Sequence, residues 1–65
     1  MYWIIRVKFK VGMFYCDDKG RPTSEINKAH RWNNKFDAEY AMERWKPWFG
    51  KEAKVKLIKI NKTIS

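Results

Sequence analysis

From Tyr2 to Val11 apolar and polar positions alternate almost without a break. Trp3, Ile5, Val7, Phe9 and Val11 fall on one side, and Tyr2, Ile4, Arg6, Lys8 and Lys10 on the other. A period of two, carried by β-branched and aromatic residues, predicts a strand with one buried face. Gly12 marks a turn, and Met13–Cys16 reads as a second strand folding back. Asp17-Asp18-Lys19-Gly20-Arg21-Pro22 is dense in turn formers: Asp bonds its own backbone, Gly accepts positive φ and Pro presets its φ. Ile26–Trp32 is read as a third strand. At Asn33-Asn34 the period changes. Asn34 is the expected helix N-cap, with Asp37 at the position of a capping-box acid near the positive end of the helix dipole. Ala38, Ala41, Met42 and Trp45 recur at helical spacing and form one apolar stripe, with Lys35, Glu39, Glu43 and Lys46 on the other side. Pro47 disfavours helical geometry at Lys46, and Gly50 follows, so the helix is expected to end about there. Ala53–Ile60 is the last strand. Its phase shifts, since Val55 and Leu57 belong to one face and Ile58 and Ile60 to the other, which implies either a bulge or two partly covered faces.

The order is β-β-β-α-β. It predicts an α+β fold in a single small domain spanning 1–65: a mainly antiparallel sheet with one helix packed on the Trp3, Ile5, Val7, Phe9, Val11 face. The simplest crossover brings the last strand beside the first, running parallel to it. Arg6, Lys8 and Lys10 then face away from the helix, beside Lys54 and Lys56.

Length changes how this pattern holds together. A chain of 65 residues buries only about 60% of its unfolded surface. One cysteine, Cys16, and one histidine, His30, exclude an intramolecular disulfide and a structural zinc site built on soft ligands, so no metal or cofactor is expected. Aromatic bulk takes their place, with four Trp, four Phe and three Tyr. An unpaired cysteine fits a reducing compartment. The longest uncharged run, Val11–Cys16, is far short of the about 20 apolar residues of a membrane span, and the first five residues are too few for a signal-peptide core. A soluble cytoplasmic protein is expected, and the sequon Asn61-Lys62-Thr63 is then accidental.

Charge is unevenly spread. Fifteen Lys and Arg stand against seven Asp and Glu, a net +8. Nearly all the excess lies in residues 1–16, which hold no acid, and 51–65, which hold one. If the terminal strands are neighbours, the sheet face away from the helix becomes a basic surface. Lysines on outer strands also serve to block edge-to-edge aggregation. Clustering at both ends, with a pI near 9.9, points instead to an anionic partner, either a phosphate backbone or an acidic protein surface. Tyr2 and Tyr15 are placed to stack or to donate hydrogen bonds there. A mimic of DNA is excluded, because it needs dense negative charge.

Catalytic chemistry finds little support. Cys16 and His30 form a nucleophile–base pair only on paper, with no third group to orient the base; a lone Cys in an apolar strand is ordinarily a small hydrophobe. Asp17-Asp18 is the only adjacent carboxylate pair, and in a turn it serves backbone N–H groups before acid–base chemistry. Gly12, Gly20 and Gly50 stand alone, so there is no phosphate-binding glycine loop. Trp45, Pro47, Trp48 and Phe49 make the remaining cluster. Trp45 belongs to the helix stripe; Trp48 and Phe49 are either a lid on the core or anchors for a protein partner.

The stretch from Ile26 through Ala29, Trp32 and Asn34 to Glu39 resembles a pattern of small phage and mobile-element proteins. In these an Ala-x-x-aromatic strand end leads, after a polar cap, into a helix with Ala at its fourth position, and an Asp-x-Lys-Gly-x turn precedes it, as Asp17–Arg21 does here. Residues 3–46 also resemble the arm-type DNA-binding domain of tyrosine integrases, a three-stranded sheet packed on a helix, though with an added strand and no catalytic domain. The first resemblance implies an accessory protein that binds and blocks a host factor, for example a restriction or CRISPR–Cas complex. The second implies direct DNA or RNA binding through the basic sheet. The residues expected to carry either role are Arg6, Lys8, Lys10, Tyr15, Lys54 and Lys56, with Trp48 and Phe49 as anchors. The expected partner is a host protein or nucleoprotein complex, with no membrane or metal involved.

Overall fold

The computed structural model describes residues 1–61, so Lys62 and Thr63 of the sequon lie outside the described residues. Four strands, β1 (Tyr2–Phe9), β2 (Gly12–Cys16), β3 (Pro22–Thr23) and β4 (Lys54–Ile60), form one sheet in the order β3-β2-β1-β4, and a single helix, α1 (Lys35–Phe49), lies across it. This is the expected α+β fold with the terminal strands adjacent. Every pairing is antiparallel.

The direction of β4 corrects the expected parallel crossover. The reason lies in residues 24–32, which do not form the expected strand. Only Pro22–Thr23, just before them, forms a strand, β3, and Ile26–Lys28 is a single 3-10 turn. Trp32 then bridges Trp3, with N–H···O bonds of 2.7 and 2.8 Å in both directions. This segment returns the chain to the start of β1 before the helix begins. The helix therefore climbs to the far end of the sheet, and β4 must descend beside β1.

Helix boundaries follow local chemistry at one end and packing at the other. The Asn34 side chain accepts from the Phe36 N–H at 2.8 Å, the N-cap bond that satisfies an otherwise orphaned donor. At the other end the helix runs through Pro47 to Phe49 and stops at Gly50 (φ 88°), so it does not end at Lys46. Pro47 removes one helical hydrogen bond. The turn beyond it is held because Phe49 packs edge-on against Phe9, centroids 6.0 Å apart.

β4 pairs with β1 over seven consecutive residue pairs, from Tyr2 with Ile60 to Lys8 with Lys54. It contains no bulge, so its change of phase means that both faces carry apolar residues. Directly opposed residues share a face. Ile5, Val7 and Phe9 therefore share the helix side with Leu57 and Val55, and with Cys16, Ala41 and Trp45 they build the core. Val11 was expected in that stripe. It sits instead in the two-residue loop Lys10-Val11 joining Phe9 to Gly12 and is 86% exposed.

Candidate functional site

The face of the sheet opposite the helix has two zones. At one end Arg6 lies between Lys56 and Tyr15, and Lys8 lies between Lys54 and Met13, in register across three strands. Among the described sheet residues of this face none is acidic. At the other end Ile4 pairs with Ile58 and Tyr2 with Ile60, and Ile4 is only 2% exposed although it points away from the main core. The Arg31 guanidinium stacks over the Tyr2 ring, 4.9 Å from its centroid, adding a cation at the Tyr2 end of this face. Sequence reasoning missed Arg31 because it placed that residue inside a strand.

The expected site residues separate. Arg6, Lys8, Tyr15, Lys54 and Lys56 come together as one basic patch. Lys10 is in the hairpin loop and meets Glu52 at 3.5 Å, both side chains exposed, so it stands outside the in-register lattice. Phe49 faces the core, packed on Phe9. Trp48 is 69% exposed, yet it belongs to the helix side, where it lines a groove with Trp32, Tyr40, Arg44, Trp45 and the Asp18-Lys19 turn. Trp48 and the basic patch are two surfaces on opposite sides of the domain.

That groove, of ≈ 490 Å³, owes its shape to the Asp17 turn. Asp17 Oδ1 accepts from the N–H groups of Lys19 and Arg21, each at 2.9 Å, and Arg21 Nε reaches Oδ2 at 3.4 Å. Desolvation pushes the Asp17 carboxyl up, but these hydrogen bonds and the Arg21 charge outweigh it and hold the group below its usual range. Gly20, at φ 81°, is pressed onto the Trp45 indole: a Cβ there would lie 2.7 Å from ring carbons. The carboxylate pair thus serves turn geometry.

Cys16 is buried on the helix side, and burial, reinforced by the neighbouring Asp17 charge, pushes its thiol up to about 12. A thiol held neutral in this way is a poor nucleophile near pH 7. His30 meets Cys16 through its backbone, N–H to the Cys16 carbonyl at 3.0 Å, while its ring packs edge-on against Trp32, centroids 4.4 Å apart. Among the described residues no three His, Cys, Asp or Glu converge as a metal-binding group, and no helix is long and apolar enough to cross a membrane.

Fold and surface together define a small α+β domain with an antiparallel sheet covered by the helix on one face and basic over one end of the other. Comparison with protein-family models, curated proteins and solved structures yields no match.

Proposed function

We propose that this chain is a small non-enzymatic binding protein of phage or mobile-element type. It docks through the basic sheet face on an anionic surface of a host protein or nucleoprotein complex, such as a restriction or CRISPR–Cas assembly, and acts by occlusion. The host cytoplasm is the setting, where its single thiol stays reduced.

The observation that carries this reading is the register of β1 with β4. Arg6 stands directly opposite Lys56 and Lys8 opposite Lys54, and like charges facing each other across a ladder cost stability. An anionic partner removes that repulsion, so the free energy lost in the isolated fold is regained on binding. A lysine scattered on an edge strand to prevent aggregation has no need of a matching cation opposite it.

A second reading, direct DNA or RNA binding, draws on Tyr15 beside Arg6 and on Tyr2 beneath Arg31. These rings lie on the same face as the cations, and aromatic rings among basic residues suit unstacked bases.

The test is a pull-down of tagged protein from host-type lysate, with and without nuclease, beside a variant carrying Lys8→Glu and Lys56→Glu. One host protein retained after nuclease and lost with the variant supports occlusion. Capture that disappears with nuclease moves the second reading to first place. Affinity for duplex DNA should then fall by about 0.9 log unit per log unit of salt for each phosphate contact. Capture equal for variant and wild type removes the basic face from both readings.

A further inference from the structure

The outer side of α1 carries a second pattern. Phe36, Tyr40, Arg44 and Trp48 are spaced four residues apart and so form one stripe along the helix. The three rings are 78%, 70% and 69% exposed, in a domain whose other rings are at least half withdrawn from solvent. From Tyr40 to Trp48 the stripe runs along the lip of the groove floored by Trp32, Ala41 and Trp45.

Charge distinguishes this surface from the rest of the molecule. The chain is +8, but α1 carries Lys35, Arg44 and Lys46 against Asp37, Glu39 and Glu43 and is neutral. A second copy can therefore approach along the helix without bringing the two basic patches together. The stripe is also self-complementary. Laid antiparallel about a two-fold axis between Tyr40 and Arg44, it puts Phe36 of one copy against Trp48 of the other. Tyr40 then meets Arg44, a cation over an aromatic ring, and the same contacts recur on the other side of the axis, as an isologous interface requires.

We infer that the Phe36–Tyr40–Arg44–Trp48 stripe is the homodimer interface of this protein. Three rings of about 150–250 Å² each, mostly exposed, offer roughly 300–500 Å² per copy. With the rim residues Asp37 and Lys19 added, the total falls at the low end of specific interfaces, below about 1,200 Å². The dimer is accordingly a reversible one. The two basic sheet faces point outward on opposite sides of it, so a dimer meets an extended polyanion or paired partners bivalently. The inference does not depend on what those faces bind.

Sedimentation equilibrium of the full chain, from micromolar to millimolar, tests it. The mass should rise from 7.9 kDa toward twice that value, and added salt should strengthen association by screening the repulsion between two +8 chains. Trp48→Ala and Tyr40→Ala should each weaken dimerisation on the order of tenfold, as expected for interface aromatics, with an unchanged far-UV spectrum because both side chains are exposed. Lys54→Glu, on the opposite face, should leave dimerisation within about twofold. A mass of one chain at every concentration would overturn the proposal and leave the stripe for a different protein. So would association indifferent to Trp48→Ala, association dissolved by salt, or association abolished by Lys54→Glu.

Discussion

The basic sheet face and the aromatic helix face are both exposed, yet they arise from opposite relations to the core. On the sheet, neighbours are set by strand register: Lys8 meets Lys54 because Val7 and Val55, behind them, are paired in the core ladder. The charges lie on a surface whose form does not depend on them. On the helix side, the groove beside Tyr40 and Trp48 exists only because Gly20 lets the Asp17 turn sit on Trp45. Its shape is continuous with the packing beneath it. The charges of the sheet and the exposed rings of the helix should therefore tolerate substitution, whereas Gly20 and Trp45 beneath the groove should not.

The largest expected effect lies under the helix face. Gly20→Ala places a methyl group in the Trp45 ring and forces an L-residue to positive φ. Overpacking costs about 1–3 kcal/mol and the left-handed conformation about 1–2 kcal/mol. A loss of about 2–5 kcal/mol is a large part of the stability of a domain this small, and urea titration should find the variant close to unfolded. A wild-type midpoint would mean that the turn does not rest on Trp45, and the contrast between the faces would fail.

An effect confined to alkaline pH comes from Cys16 on the same side. Its thiol is neutral in the fold and ionises in the unfolded chain above about 9, so stability is intact below that pH. It declines as pH rises from about 9 toward about 12, by up to about 1.4 kcal/mol per pH unit. Stability curves measured across that range should flatten in Cys16→Ala. Asp17 gives the opposite limb. Its carboxyl is held low in the fold, so its contribution is present above the usual carboxylate range, near 3.9, and is lost as pH falls below it.

The smallest effect belongs to the sheet face and has the reverse sign. Lys56→Glu replaces a like-charge pair with an opposite-charge pair beside Arg6, and should stabilise the domain by about 0.2–1 kcal/mol while weakening partner capture. Thermal denaturation at low salt is the sensitive measurement. Destabilisation would show that Lys56 serves the fold and would remove the observation on which the proposed function rests.

Much of this architecture was legible in the chain. The alternation of Tyr2–Phe9, the cap at Asn34, the Ala38, Ala41, Trp45 stripe and the turn at Asp17–Arg21 each rest on residues close in sequence, whose preferences agree with their final surroundings. The stripe of Phe36, Tyr40, Arg44 and Trp48 is legible too, through its four-residue spacing, beside the buried stripe of Ala38, Ala41 and Trp45. Where local signals failed, a distant contact had overruled them. Pro47 signals a helix end, and Phe9 holds the last turn in place. Ile26–Trp32 has strand-forming residues, but it meets the sheet only through the His30 N–H on the Cys16 carbonyl and the Trp32 bridge to Trp3.

Period, capping and turn chemistry determined β1, β2, β4 and the start of α1, and that the ends of the chain would carry the charge. They act within a few residues, so they left the direction of β4 open. That direction was decided by where the chain stood when the helix began, at the Trp3–Trp32 bridge between residues far apart in sequence. Tertiary structure likewise divided the expected site in two. A side chain's face depends on its register with a strand or helix elsewhere in the chain, and only packing sets that register.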